Sequence, residues 1–565
     1  MNMKSQSLKH IKTKSYASNG VMSVFFAFTF FVFGSVQLYL QNITQFEFSI
    51  LDLLPPVCIA FLLFGGIVFC VGFFLHGKWL EWYLYLVFGG TLALYIQGNF
   101  IITDYGPLNG VPIAWENYQT TALLNTILWI ACLALPFILK CILKKNILHM
   151  LSLVVGCITI VQVIALGSLF LTTDLKSHKV TDFYLSDNGV HSVSQEDNVV
   201  VFVLDTFDAK YMDAILEQEP DFFEPLDGFT NYRNATSEYP HTLMAVPYLL
   251  TGQNYKNEQP YTDFIEGAYL QTDIYDTLMA SGYDLGVYTG AENVSKSFSK
   301  THLINAVFEP KSVTSYFSLG LKMFKFTSFK YFPHILKPIA WLSTGTFDEL
   351  MGAPAGMPQP WSYDNVTYYN SLVKNGLSAN ETNKSFRFIH LNGPHGPFNM
   401  TENVTNLPEK GTGNAYTESK ASMKIVFQYL SELKRLGVYG QTSIYVLADH
   451  GANYIGDFYR GNIQLLHKPK DSYGALQHSN APVAQTDLWP TILKEMGSSL
   501  QVDFGIPLSD VPEDSQRIRK HYHFMSWNSE DGKYLDPIRV FDIMPNNREL
   551  GHYIETDVVY EKPKK

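Results

Sequence analysis

Five runs of about 20 apolar residues in the first 173 positions constrain the fold of this chain more than any other feature. A bilayer core about 30 Å thick requires a helix of about this length. The sequence therefore predicts five membrane-spanning helices rather than buried core helices of a soluble protein. The runs lie at roughly 21–40, 54–75, 79–97, 121–141 and 147–172.

The charges between these runs predict how the chain crosses the membrane. Every Lys of this part precedes the first run, follows the second or follows the fourth, and the charges in the other connections are acidic. Because short cytoplasmic loops are enriched in Lys and Arg, we expect a cytoplasmic N-terminus. An odd number of spans then places everything after residue 173 outside the plasma membrane. The lysines are Lys4, Lys9, Lys12, Lys14, Lys78, Lys140, Lys144 and Lys145.

The remaining 392 residues have the composition of a soluble domain. The absence of a basic block excludes a general nucleic-acid binder, and no low-complexity tract suggests disorder. All five cysteines lie in the apolar part, so the outer part can form neither a disulfide nor a thiolate metal site. Residues 174–197 are polar with scattered charges, and this composition predicts a linker or short surface elements.

Three segments of the outer part, NVVVFVL, FRFIHL and SIYVL, predict buried strands with metal-ligand side chains at or after their carboxyl ends. In open α/β sheets the functional crevice lies outside these strand ends, so we expect the side chains to converge on one cation. Taken singly, an Asp after a strand is commonly a helix cap and a lone His a satisfied polar residue. The side chains are Asp205, then His390 and His395, then Asp449 and His450.

A fourth segment, NATSEYPHTLMAVPYLLTGQ, supplies a candidate nucleophile. It predicts a turn ending at His241 and a helix from about Thr242 to Leu250. In the first helical turn a hydroxyl faces unpaired backbone N–H groups and the positive end of the helix dipole, which favours an alkoxide and a bound phosphate oxygen. A Thr that only caps the helix is the alternative.

In chain order, the segments LDTFDA, HTLMAVPYLLTG, HLNGPHGPF, ADHG and NAPVAQTDLWPTIL resemble the blocks of the alkaline phosphatase and sulfatase superfamily. The block ending at Gly252 resembles the signature in which sulfatases convert a Cys or Ser to formylglycine, and Thr242 occupies that position. A Thr cannot form that aldehyde. The resemblance is therefore to the Thr nucleophile of lipoteichoic acid synthases and phosphoethanolamine transferases, which also place five membrane spans before an extracellular catalytic domain.

The resemblance implies an N-terminal five-helix transmembrane domain followed by an α/β alkaline-phosphatase-like (sulfatase-like) extracellular domain. The transmembrane domain covers residues 1–173, the linker 174–197 and the catalytic domain 198–500. A smaller strand-and-loop region covers residues 501–565. The disulfides typical of phosphoethanolamine transferases are impossible here, which shifts the comparison toward lipoteichoic-type and polysaccharide glycerol-phosphate transferases.

The same resemblance implies roles for individual residues. One or two divalent cations, Mn²⁺ or Zn²⁺, would be held by Asp205, Asp449, His450 and the nucleophile Thr242. His395 would bind the substrate phosphate, with His390 and His467 as further substrate-binding candidates. For a partner histidine after the ADHG segment, His467 and His478 are both open.

The implied function is a metal-dependent transfer of a phosphoglycerol or phosphoethanolamine head group. The donor would be a membrane phospholipid, the intermediate phospho-Thr242, and the acceptor a cell-surface glycan or glycolipid. One alternative is a membrane-bound phosphatase, phosphodiesterase or sulfuric ester hydrolase that uses water as acceptor. Another is a membrane scaffold or transport component whose outer domain has lost its activity.

The segment 311–342 mixes aromatic and aliphatic side chains with four lysines. This pattern is typical of a helix lying at a membrane surface, next to the lipid head groups. A helical insertion packed on the outer domain is the alternative.

Overall fold

The computed structural model describes residues 16–106, 108, 113–175, 183–354, 356–452, 460–526, 533–546 and 553–564. The chain forms two compact units. The helical unit comprises residues 1–182 and 310–355, and the sheet unit comprises residues 183–309 and 356–565.

Helices of the described residues fall into an N-terminal set of five long ones and a later set of shorter ones. The long helices are α1 Tyr16–Gln41, α2 Ile50–Phe74, α3 Lys78–Phe100, α4 Trp115–Leu143 and α5 Leu148–Thr172. The later helices are α6 Ala209–Gln218, α7 Thr242–Thr251, α8 Tyr261–Ala268, α9 Ile274–Ala280, α10 Lys296–His302, α11 Tyr316–Tyr331, α12 Lys337–Ala340, α13 Asn365–Asn375, α14 Ala415–Leu436 and α15 Leu488–Glu495.

Helices α1 to α5 are long and apolar enough to cross a membrane, so the prediction of five spans is confirmed for the described part of the chain. Each has at least 23 residues, and a helix of that length spans more than about 30 Å at 1.5 Å per residue. Lys4, Lys9, Lys12 and Lys14, on which the predicted orientation partly depends, lie outside the described residues.

Residues 310–355 belong to the helical unit although the chain on both sides of them belongs to the sheet unit. Helix α11 shares an apolar core with α1 and α2, to which Leu319 and Met323 contribute. At the start of the segment, Lys311 Nζ pairs with Glu47 Oε2 at 2.9 Å. The segment predicted as an interfacial helix or an insertion packed on the outer domain therefore packs against the apolar helices.

The strands of the described residues lie in the sheet unit, apart from one two-stranded pair in residues 310–355. The strands are β1 Tyr184–Leu185, β2 Ser192–Ser194, β3 Asn198–Leu204, β4 Thr230–Tyr232, β5 Ala235–Thr236, β6 Tyr283–Tyr288, β7 Ala306–Val307, β8 Ser312–Val313, β9 Met351–Gly352, β10 Ser378–Asn380, β11 Lys384–Leu391, β12 Thr442–Leu447, β13 Asn462–Ile463, β14 Leu465–Lys468, β15 Gln477–Ser479, β16 Val483–Ala484, β17 Arg519–His523, β18 Ile538–Ile543 and β19 Tyr553–Tyr560. Strands β1 and β2 fall in the segment 174–197 that the sequence assigned to a linker.

The main sheet has seven strands in the order β15-β4-β14-β12-β3-β11-β6. Strands β12, β3, β11 and β6 are neighbours and run parallel, whereas β14 runs antiparallel to both of its neighbours. Every residue of β3 is buried, as expected for a central strand of a parallel sheet that is covered on both faces. The four parallel strands therefore end at the same edge of the sheet, and this edge positions the site described next.

Candidate active site

The carboxyl ends of the parallel strands bring the predicted side chains together. Asp205 directly follows β3, His390 is the last residue but one of β11, and Asp449 and His450 follow β12. The register aligns these ends, because Leu204 of β3 pairs with Leu391 of β11 and Val203 pairs with Leu447 of β12. Residues far apart in sequence are thus neighbours at one edge.

Three of these side chains form a buried cluster of the kind that holds a metal ion. One ligand atom each of Asp205, Asp449 and His450 lies within 4.8 Å of the other two. His450 Nε2 lies 3.5 Å from Asp205 Oδ1 and 3.6 Å from Asp449 Oδ2. The cluster contains three of the four residues to which the family resemblance assigned metal binding, and Thr242 is the fourth.

Thr242 lies next to this cluster, although it belongs to a helix rather than to the end of a strand. It is the first residue of α7, whose cap residue His241 has an extended backbone. The Oγ1 atom of Thr242 donates to Asp205 Oδ2 at 3.4 Å and lies 3.4 Å from His450 Nε2. The hydroxyl therefore sits at the positive end of a ten-residue helix and against the metal-ligand side chains.

The surroundings shift the pKa values of the two carboxylates of the cluster in opposite directions. Burial, and then the nearby Asp449 carboxylate, raise the pKa of Asp205 well above its usual value. Burial alone would also raise the pKa of Asp449, but the imidazoles of His450 and His390 hold it at about 2. Two carboxylates this close and this buried require a positive charge between them if both are to be ionised.

The unpaired atoms of the cluster fit a divalent cation. Asp205 Oδ1 and Asp449 Oδ2 are buried and have no hydrogen-bond partner among the described residues. By contrast, Asp449 Oδ1 accepts from the backbone N–H groups of Thr206 and His450. Because His450 Nδ1 donates to the Gly451 carbonyl at 3.0 Å, Nε2 keeps its lone pair for the cluster. Carboxylate, imidazole and hydroxyl ligands suit Mn²⁺ or Zn²⁺.

His390 and His395 lie near this cluster, but neither is one of its three ligand residues. His390 Nδ1 is 3.1 Å from the hydroxyl of Thr289, and its Nε2 is buried without a partner among the described residues. Burial lowers the pKa of His390 to about 4, so its ring is neutral near pH 7. His395 is exposed, and its charge contributes to lowering the pKa of both His390 and His450. One imidazole is thus fixed and neutral, and the other is accessible to substrate and solvent.

The structure does not bring His467 or His478 to the cluster. Because β14 runs antiparallel to β12, His467 lies opposite Tyr445, inside the strand rather than at its end. Its Nε2 is 3.0 Å from Glu495 Oε1, and its ring stacks on Tyr445 at 4.5 Å. His478 lies on the edge strand β15 and contacts Asn231. The substrate-binding role assigned to His467 is therefore replaced by a structural one.

A cavity of about 290 Å³ opens beside Thr242, and five of its eight lining residues were not predicted as site residues. The sequence reasoning missed the loop after β6, because Asp284 and Gly286 interrupt the apolar run of that strand. Recognition of β6 as a fourth parallel strand would have revealed this loop, because the carboxyl ends of parallel strands lie at the same edge of the sheet. The lining residues are Asp205, Thr242, Leu243, Glu292, Asn293, Tyr363, His390 and Asn392.

Further residues that were not predicted as site residues contact His241. Nη1 of Arg460 lies 3.3 Å from His241 Nδ1, and the guanidinium charge acts to lower the pKa of Asp205. The His241 ring contacts Phe524, which follows β17, at a centroid distance of 5.2 Å. His241 therefore links the nucleophile helix to Arg460 and to the C-terminal strands.

Comparison with known proteins identifies the family to which this chain belongs. The family model described as "Sulfatase" matches residues 197–498, more than half of the chain. The chain belongs to the sulfatase family. Enzymes of the sulfatase and alkaline phosphatase superfamily are hydrolases or transferases that use a divalent metal, and the Asp205, Asp449 and His450 cluster of this sulfatase-family chain provides a matching set of ligands.

Several solved structures are similar to this sulfatase-family chain. One is a protein of the alkaline phosphatase superfamily from Vibrio parahaemolyticus, at 14% identity over 66% of this chain and 85% of that chain, with a TM-score of 0.38. Another is the phosphonate monoester hydrolase SpPMH from Silicibacter pomeroyi, at 14% over 62% and 88%, with a TM-score of 0.37. The lipoteichoic acid synthase LtaP from Listeria monocytogenes matches at 10% over 64% and 86%, with a TM-score of 0.34. No curated protein sequence matches the chain significantly.

Proposed function

We propose that this protein transfers a phosphoglycerol or phosphoethanolamine head group from a membrane phospholipid to a cell-surface glycan or glycolipid, through a phospho-Thr242 intermediate. The observation that carries the proposal is the position of Thr242. Its hydroxyl lies at a helix N-terminus and within 3.4 Å of Asp205 and His450. A Thr in this place cannot become formylglycine, so it serves as the nucleophile itself.

In the first half of the proposed reaction, Thr242 Oγ1 forms a bond to the phosphorus of the lipid. The Thr242 hydroxyl gives up its proton to water, the bond between phosphorus and the diacylglycerol oxygen breaks, and diacylglycerol leaves with a proton supplied from the exposed His395 side of the site. A divalent cation held by Asp205, Asp449 and His450 would favour the ionised hydroxyl and offset the charge of the phosphoryl oxygens. The N–H groups of the first turn of α7 bind those same oxygens.

In the second half, an acceptor hydroxyl attacks the phosphorus and the bond to Thr242 Oγ1 breaks. The proton of the acceptor passes to the group that gave one up in the first half, as a ping-pong cycle requires. The product is a phosphodiester on the acceptor, and Thr242 Oγ1 takes a proton back from water to restore its hydroxyl. His390, neutral and fixed by Thr289, orients the phosphoryl group without adding charge.

Attachment to the membrane supports a lipid donor. A phospholipid is confined to the bilayer, and a tethered enzyme meets its head group at a high effective concentration. The distribution of lysines among the connections, with all of them on one side of the five spans, favours a site outside the plasma membrane, where surface glycans are modified.

Intact mass spectrometry of the full chain in detergent tests this proposal. Wild type and Thr242→Ala are incubated with phosphatidylglycerol or phosphatidylethanolamine, each with Mn²⁺ or Zn²⁺. A phosphoglycerol or phosphoethanolamine adduct on wild type alone supports the transferase. If neither lipid gives an adduct but soluble phosphate esters are hydrolysed, the protein is a phosphatase or phosphodiesterase that uses water as acceptor.

A further inference from the structure

The cavity beside Thr242 carries a carboxylate that the proposed reaction does not use. Glu292 lines it from the loop after β6, while Asp205 lines it from the end of β3. These two are the acidic side chains among the described lining residues, which include no Lys or Arg. A cation bound at the metal-ligand cluster compensates Asp205 but leaves the charge of Glu292.

Neighbouring side chains hold Glu292 in place. The hydroxyl of Tyr363 donates to Glu292 Oε1 at 3.4 Å and accepts from Asn293 Nδ2 at 3.5 Å. A Cβ atom on Gly290 would come within 2.1 Å of Glu292 Oε1 and 2.3 Å of the Tyr363 hydroxyl, so this packing depends on a glycine there. The carboxylate is therefore positioned rather than loosely placed on the surface.

Glu292 has no cationic partner in the part of the chain that the structure describes. No Lys, Arg or His of the described residues forms an ion pair with it, although it is exposed enough for a ligand to reach. Glu266, on α8, illustrates the contrast, because its carboxylate is satisfied by the hydroxyls of Ser295 and Ser297. A positioned carboxylate in a substrate cavity is available to a cation on the substrate.

We propose that Glu292 selects a head group that carries a primary amine, so that the enzyme transfers phosphoethanolamine in preference to phosphoglycerol. This inference rests on the proposed function, because it concerns the group attached to the phosphate that Thr242 attacks. The cavity is at the lower end of the range of about 300–1,000 Å³ for small-molecule sites, which suits a head group rather than a whole lipid. The ammonium group pairs with Glu292 while the phosphate lies at Thr242.

The neutral glycerol head group lacks this charge. It can offer hydroxyl hydrogen bonds to Glu292, but it brings no positive charge, so the negative charge of the carboxylate stays uncompensated in the cavity. Leaving a charged group without its partner costs enough to change an equilibrium about tenfold or more. The absence of cysteines in the sheet unit favours the glycerol-phosphate group by resemblance, so the two lines of argument predict different donors.

The test compares adduct formation from phosphatidylethanolamine and phosphatidylglycerol on the full chain in detergent, by intact mass at short times. We expect wild type to form the phosphoethanolamine adduct about tenfold faster or more. Glu292→Gln should reduce this ratio about tenfold, whereas Glu292→Asp, which keeps the charge, should retain part of it. Glu224→Gln, the same substitution at an exposed position outside the cavity, should leave the ratio unchanged.

The ratio, rather than either rate, is decisive because a general loss of activity lowers both rates together. Faster labelling of wild type by phosphatidylglycerol would overturn the selection of an amine and leave the transferase intact. An unchanged ratio in Glu292→Gln would show that another group selects the donor. Failure of both lipids to label wild type would overturn the transferase and, with it, this inference.

Discussion

The Oγ1 atom of Thr242 lies 3.4 Å from Nε2 of His450, although 208 residues separate them in the chain. The distance is long for a strong hydrogen bond, so the hydroxyl is not committed to the imidazole. His450 Nε2 lies within 3.6 Å of the unpaired Asp205 Oδ1 and Asp449 Oδ2, and Thr242 Oγ1 lies 3.4 Å from the other oxygen of Asp205. The Thr242 hydroxyl and the His450 imidazole are therefore close enough to bind the same cation.

Removal of the Thr242 hydroxyl should abolish the chemistry. We expect Thr242→Ala to lower the turnover of a soluble phosphodiester by about a thousandfold or more, because in the described part of the chain Thr242 supplies the side-chain hydroxyl that contacts the cluster. Thr242→Ser keeps the hydroxyl and should remain active. Steady-state kinetics of the two variants, with circular dichroism as a check on folding, provide the measurement. An alanine variant with wild-type turnover would exclude Thr242 as the nucleophile.

Loss of a cluster carboxylate should release the metal. Asp449→Asn removes a buried charge whose Oδ2 has no other partner, and we expect metal affinity to fall about a hundredfold. Elemental analysis of bound Mn²⁺ and Zn²⁺ after dialysis measures this effect. Asp557→Asn, at an exposed position of β19, is the matched control. Equal metal content in the two variants would contradict the assigned ligand set.

The buried His521 should make the protein less stable in acid. Burial lowers the pKa of His521 to about 3, whereas an unfolded histidine titrates near about 6.5. Between these values the unfolded chain binds the extra proton, so the free energy of unfolding falls as the pH drops, by up to about 1.4 kcal/mol per pH unit. His521→Asn keeps a donor for the Ser237 carbonyl but does not titrate.

The dependence of Tm on pH between 7 and 5 measures this contribution. We expect the Tm of wild type to fall more steeply than that of the His521→Asn variant as the pH is lowered. Parallel curves would mean that His521 does not contribute to acid sensitivity.

Arg387 should be essential for the stability of the sheet unit. Its side chain is fully buried on β11, where it pairs with Asp284 and donates from Nε to the Ser192 carbonyl at 2.8 Å. Arg387→Met leaves Asp284 without its partner, and we expect a loss of about 3–5 kcal/mol. Arg435→Met breaks an exposed pair with Glu432 and should cost at most about 1 kcal/mol. Denaturant titration of the two variants in detergent tests whether this difference exists.

The features that could be predicted from the sequence are those that a short stretch of residues determines by itself. Twenty apolar residues can satisfy their backbone groups in a bilayer only as a helix, so the five spans follow from composition. The run NVVVFVL before Asp205 is equally unambiguous, because a fully apolar β-branched run fits a strand buried on both faces. The end of this strand then determines where the Asp205 carboxylate lies.

Other parts depend on contacts that no local pattern encodes. Strand β17 has the polar sequence RKHYH, yet His521 on it is fully buried because β18 and the segment around Ser237 cover it. Glu292 resembles any loop carboxylate until the order of strands places it beside Thr242. His467 was expected at the site because of its position in the sequence, but β14 runs antiparallel to β12. His467 therefore lies away from the edge where the cluster forms.

The assignment of residues 310–355 to the helical unit has a practical consequence for anyone who wants a soluble enzyme. The chain passes between the two units three times, after residues 182, 309 and 355, so one protease cut cannot release the sheet unit in a single piece. A truncation that begins at residue 183 would still carry α11, whose apolar face would lose the helices that cover it. Such a fragment should aggregate, whereas replacement of residues 310–355 by a Gly-Ser linker should give a monodisperse protein.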